Sequence, residues 1–209
     1  MRPILFFPWF LLIILCCCQQ CKATSPNTKQ DTVRSIIIDN ALQDTIERHI
    51  QFISGRHFSH FKTPMEAHFF SNDKLVDSII QPDFGMDSWY SNHGDTVDLV
   101  AHVGEFETEA LLVRFIGNKP TVFFFRAPHE RQNYFKINKT DSFANQIEVP
   151  PIQYKLLLSK IPDTINKPVV FGHIAMESSN YYDKRDTLQR THRIQMKFDF
   201  RSQFRKFDY

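Results

Sequence analysis

The chain has 209 residues, of which 42% are hydrophobic and 23% charged, with a formal net charge of +2. So small a charge does not suit a nucleic-acid binder, which neutralises phosphates with a basic surface, and this apolar content does not suit a disordered chain. All 4 cysteines fall between Cys16 and Cys21, so from Lys22 onward internal disulfides, a cysteine nucleophile and thiolate metal ligation are excluded.

The first segment has a targeting layout. One positive residue, Arg2, precedes an apolar run from Ile4 to Leu15. That run is too short for a spanning helix, which needs roughly 20 apolar residues, and a short apolar core behind a basic start is a secretory signal. No small-residue cleavage pattern follows, and the run ends directly in Cys16, Cys17 and Cys18. Leu15-Cys16-Cys17-Cys18 resembles the lipobox of bacterial lipoproteins, and Ile14-Leu15-Cys16-Cys17 fits nearly as well. The departure is a Cys where that family places Gly, Ala or Ser before the modified residue. The resemblance implies a signal peptide over residues 1–17 and lipidation at Cys18 or Cys17, with palmitate-type acyl chains holding the protein to a bacterial membrane in the cell envelope. A plain signal peptide with incidental cysteines is the alternative. The residues after the anchor, Gln19-Gln20-Cys21-Lys22-Ala23-Thr24-Ser25, lack the acidic cluster that marks surface export in such bacteria, which implies a periplasm-facing protein.

Residues 18–31 are polar enough to be a flexible linker, and residues 32–209 are long enough for one domain with its own core. In that domain Thr32–Gly55 reads as a helix, because Leu42, Ile46, Ile50 and Ile53 share one face. Asn40 with Gln43 resembles a capping box and Gly55 a stop. Ile36-Ile37-Ile38 reads as an early turn of that helix or as a short strand.

Beyond Glu66 the pattern turns to strands. Thr96–Val103, Tyr154–Ser159 and Val169–Met176 read as strands, and Ala110–Phe125 as a hairpin turning at Gly117-Asn118-Lys119-Pro120. Near the end, Ile194, Met196, Phe198 and Phe200 alternate with Arg193, Gln195, Lys197, Asp199 and Arg201, the mark of a strand with one buried face. His57–Pro64 and Gln81–Gly94 read as long loops. The expected fold class is therefore α+β, an N-terminal amphipathic helix on an antiparallel sheet, an order that resembles the cystatin-like fold. A β-sandwich with a helical N-terminal extension is the alternative.

Candidate chemistry is sparse. His57 and His60 stand three apart and would share a face only on a helix, so they are weak metal candidates; no metal or other cofactor is expected. Ser59 with Lys62 and Ser71 with Lys74 match S-x-x-K but lack its companion motifs. Glu105, Glu107 and Glu109 would share a face on a strand, where a solvated row is the ordinary reading. The basic group Arg190, Arg193, Lys197, Arg201, Arg205 and Lys206 suits membrane phosphates or an acidic polysaccharide, with a plain charged sheet face as the alternative.

One pattern exceeds chance. Asp, then Ser or Thr, then an aliphatic residue occurs at Asp31, Asp44, Asp77, Asp95, Asp163 and Asp186, where random placement would give fewer than about one. It resembles the O-glycosylation sequon that one group of Gram-negative bacteria uses on exported proteins, which implies Thr32, Ser78, Thr96, Thr164 and Thr187 as acceptors. The physical alternative is that Asp and Thr initiate turns by bonding nearby backbone. The function these features suggest is non-catalytic binding of an envelope protein or glycan by a membrane-anchored domain. The alternative is an envelope hydrolase or metal-dependent enzyme.

Overall fold

The structure is a computed structural model that describes residues 34–52, 60–103, 108–128 and 132–206. In chain order its elements are β1 (Arg34–Ile38), α1 (Leu42–Glu47), β2 (Gln51–Phe52), β3 (His60–Ser71), β4 (Lys74–His93), β5 (Thr96–His102), β6 (Thr108–Ile116), β7 (Lys119–Ala127), β8 (Phe135–Lys136), β9 (Ile147–Val149), β10 (Pro151–Leu158), β11 (Val170–Ser178), β12 (Tyr181–Asp183) and β13 (Thr191–Phe204). The described residues are mostly β, 65% strand against 4% helix, which overturns the expected α+β class and the helix-bearing alternative alike.

The helical reading of Thr32–Gly55 fails for a physical reason. Ile36, Ile37 and Ile38 are β-branched, stiff at χ1 and better placed on a pleated surface than on a helix. They pair in parallel with Leu156, Leu157 and Leu158 of β10. What remains helical is the six residues of α1, too short to be stable without tertiary packing. Leu42, Ile46 and Ile50 do reach the core, and α1 packs against β11; Ile53 and Gly55 lie outside the described residues. The expected capping box is also absent, because Ala41 is the N-cap and its N–H is bound by Asp39 Oδ1 at 3.0 Å.

The strands form one mixed sheet in the order β1-β10-β11-β13-β3-β4-β5-β6-β7-β9. Most neighbours are antiparallel, while β1–β10 and β13–β4 are parallel. Strands β10 and β7 also touch, so the sheet curves around a single core. Alternation in β13 is as read: Ile194, Met196, Phe198 and Phe200 are all buried. The hairpin of β6 and β7 turns at Gly117 and Asn118, and Gly117 takes φ +58°, a conformation that favours glycine.

The segments read as loops, His57–Pro64 and Gln81–Gly94, are also corrected. His57–Ser59 lie outside the described residues, but β3 begins at His60 and β4 continues through His93. Pro64 and Pro82 sit where the β3–β4 register shifts between Thr63 and Met65, and such irregularities tolerate a missing N–H. The first half of β4 pairs with β3 alone, since β5 joins only from Asp87. Leu75, Val76 and Ile80 are exposed along that open edge.

Candidate functional site

The outer face of the β10-β11-β13-β3 part of the sheet carries the most organised polar surface among the described residues. Because side chains alternate along a strand, burial of Ile174, Met176, Ile194, Met196, Met65 and Ala67 turns their neighbours outward. Cross-strand register then arranges those neighbours in three rows. One runs Ser78, His68, Gln195, Glu177, Gln153, and the next Ile80, Glu66, Lys197, Ala175, Lys155. The third runs Asp199, His173, Leu157.

Two depressions open on these rows. One of about 370 Å³ lies over the first two rows, with Ala175 in its floor. The other, of about 460 Å³, is bordered by His49, Pro64, Ile80, Pro82, His173 and Asp199. Glu66 and Lys197 border both, so the two form one trough.

Hydrogen bonds hold most of its polar groups in place. His68 links Glu66 Oε1 at 3.0 Å through Nε2 and Ser78 Oγ at 2.9 Å through Nδ1. Gln153 Nε2 donates to Glu177 Oε2 at 2.9 Å, and Arg193 donates to Glu177 Oε1 while its guanidinium covers Phe70 at 4.3 Å. At the far end Asp199 receives His173 Nδ1 at 2.6 Å and His49 Nδ1 at 3.3 Å. Burial alone would raise the Asp199 carboxyl, but hydrogen bonds and charge from His173 and His49 hold it below its ordinary range. The carboxylate thus ties the turn after α1 to β11 and β13. Chemically, the trough offers planar amide and carboxylate groups, imidazoles held by hydrogen bonds and two lysines.

A second buried polar cluster fills the opposite end of β13. Arg126 donates to Tyr181 Oη and lies 3.4 Å from Glu109, and it covers Phe135 at 4.8 Å. Desolvation pushes the buried Tyr181 hydroxyl up to about 12. Arg185 pairs with Asp183, and Arg190 and His192 pair with Asp186. These groups lock β8 and β12 onto the sheet.

The residues singled out from sequence fare unevenly. Cys17, Cys18, Thr32, His57, Ser59, Glu105 and Glu107 lie outside the described residues. His60 starts a strand, in register with Asp87. Among the described residues, no group of three or more His, Cys, Asp or Glu is arranged to hold a metal ion. Glu109 is taken up by Arg126. Ser71 and Lys74 flank the two-residue turn between β3 and β4 and Ser71 is buried, no geometry for a nucleophile.

Of the triplets, Ser78 is exposed on β4 with its Oγ bound to His68. Thr96 opens β5, and Thr164 and Thr187 sit in turns. In those turns Asp163 Oδ1 accepts from Ile165 N–H at 2.8 Å and Asp186 Oδ1 from Leu188 N–H at 3.1 Å. The turn-forming chemistry of Asp is therefore present at both.

Sequence reading missed Gln153, Lys155, Glu177 and His173 altogether. Gln195 and Asp199 were visible only as the wet side of a strand, Lys197 also as one of the basic group near the C-terminus, and nothing local marks which strands lie beside it. No protein-family model matches this chain, and no curated protein or solved structure is similar to it.

Proposed function

We propose that the chain is a cell-envelope protein, tethered to a bacterial membrane through Cys18 or Cys17 and facing the periplasm, whose domain binds a glycan without transforming it. The carrying observation is the trough. Gln153, Gln195, Glu66, Glu177 and His68 present donors and acceptors side by side on a rigid sheet, the kind of surface on which several sugar hydroxyls can be bonded at once. Hydrogen bonds hold Gln153 on Glu177 and His68 on Glu66 before a ligand arrives, which lowers the ordering cost of binding.

The test is a glycan array probed with the detergent-solubilised full chain beside a Gln153→Ala/Gln195→Ala variant. Retention of defined glycans by the parent and not by the variant supports the reading; equal retention, or none, refutes it. Incorporation of a labelled acyl chain, lost when Cys17 and Cys18 are both replaced by Ala, tests the anchor separately. One observation favours a second reading, an envelope hydrolase: Asp199 orients His173 beside the 460 Å³ depression, as a carboxylate orients a general base. That reading requires turnover that disappears in His173→Asn.

A further inference from the structure

We propose that the trough selects a sugar bearing a single negative charge, held by Lys155 and Lys197 across Ala175; this rests on the glycan reading of the same site. Ala175 is in direct register with Lys155 on one side and Lys197 on the other. With neighbouring strands about 4.8 Å apart, the two lysine Cα atoms are about 10 Å apart. The intervening side chain is a methyl group, so both ammonium groups can lean over it and close on one anion.

The basic side chains of this face divide sharply. Arg193 is engaged by Glu177, Asp73 and the ring of Phe70. His68 is held between Glu66 and Ser78, and His49 and His173 share Asp199. Arg201 lies over Phe171 at 6.0 Å. Lys155 and Lys197 are exposed, and among the described residues neither has a hydrogen-bond or ion-pair partner. Both border the depression over Ala175.

The neighbouring carboxylates set the ligand's charge. Glu66 stands beside Lys197 in the same row and Glu177 beside Ala175 on β11, and both border the depression. A polyanion would be repelled there, since like charges at these distances oppose one another. One anionic group on the lysine pair, with hydroxyls on Gln153, Gln195 and the two glutamates, satisfies every side chain of the depression. A uronate carboxylate and a sugar sulfate ester share that chemistry.

The experiment is calorimetric titration of the full chain in uncharged detergent with matched neutral, uronate-bearing and 6-sulfated oligosaccharides on several backbones. An acidic member is expected to bind at least tenfold tighter than its neutral counterpart, with the preference shrinking as salt rises. Which acidic arm wins identifies the source of the charge. Lys155→Gln/Lys197→Gln is expected to abolish the preference while still binding the neutral sugar, and Lys119→Gln, on the β6–β7 hairpin, to keep it. Equal binding of neutral and acidic members by the parent, or a preference surviving in the double variant, overturns the inference and leaves the glycan reading standing. No binding on any backbone overturns both.

Discussion

Gly172 offers the most direct test of how the sheet is packed. It lies on β11 opposite Phe200 of β13, and a methyl group added at its Cα would overlap the Phe200 ring. Phe200 is fully buried and packs edge-on against Phe198 with ring centroids 6.2 Å apart, so the ring has no free space to enter. Gly172→Ala therefore forces backbone movement or an unfavourable Phe200 rotamer, a kind of overpacking that costs about 1–3 kcal/mol. The upper end applies, because the intruding atom meets the ring itself and not the tip of a flexible chain. For a domain of this size about 3 kcal/mol corresponds to a loss of roughly 6–12 °C in Tm. Phe200→Leu alone leaves a cavity and destabilises too, but combined with Gly172→Ala it supplies the missing room. The double variant is then expected to be more stable than the sum of the single effects by at least about 1 kcal/mol. Urea and thermal denaturation of all four proteins measure this cycle. A Gly172→Ala melting within 2 °C of the parent, or strictly additive single effects, would refute the packing argument.

Burial lowers the pKa of both His102 and His192, despite the opposing charges of Asp87 and Asp186. The unfolded chain then binds protons more readily than the fold as pH drops below about 6.5, so stability present above that value is lost through the lowered folded values. Tm is expected to fall between pH 7.5 and 5, and His102→Gln/His192→Gln to flatten that profile; an unchanged slope counts against it. Arg114 bridges Asp98 at 3.0 Å and Glu148 at 2.8 Å on the outer face of β5, β6 and β9. Arg114→Met leaves two carboxylates unpaired beside each other, and a loss of about 1–2 kcal/mol is expected at low salt, with a smaller loss at 1 M salt in urea titrations. Ile80→Lys, on the open edge of β4, is expected to change stability by less than about 0.5 kcal/mol while reducing self-association at high concentration, because charge on an edge strand blocks pairing; sedimentation velocity would show it.

What was legible in the sequence follows the physics of each segment. Strict alternation along β13 identified its buried face, since Ile194 through Phe200 obey a period of two without interruption. The helical spacing of Leu42, Ile46 and Ile50 holds only over α1 and the turn after it, while the residues before them belong to a strand. A helical face can be written into a sequence that only a six-residue helix uses, because the parallel partner β10 lies more than a hundred residues away and claims Ile36–Ile38 first. Pro64 and Pro82 together occupy one of the two register shifts in the ladder between β3 and β4.

The candidate site was the least legible part because it is made by register and by no motif. Lys155, Ala175 and Lys197 are separated by 20 and 22 positions in the chain and become neighbours only when β10, β11 and β13 align as they do. Slipping β13 by one residue would turn Lys197 inward and Phe198 outward. The buried row of Ile194, Met196, Phe198 and Phe200 forbids that slip, so the apolar face fixes which polar side chains share the trough. The core therefore does more here than hold the sheet. It determines that Ala175, and not a larger residue, stands between the two lysines, and Ala175→Leu is the change that tests this at little expected cost to folding. With the added side chain on the outer face, stability should stay within about 1 kcal/mol, while oligosaccharide binding in the trough should be lost; retained binding would show that the depression over Ala175 is not where the ligand sits.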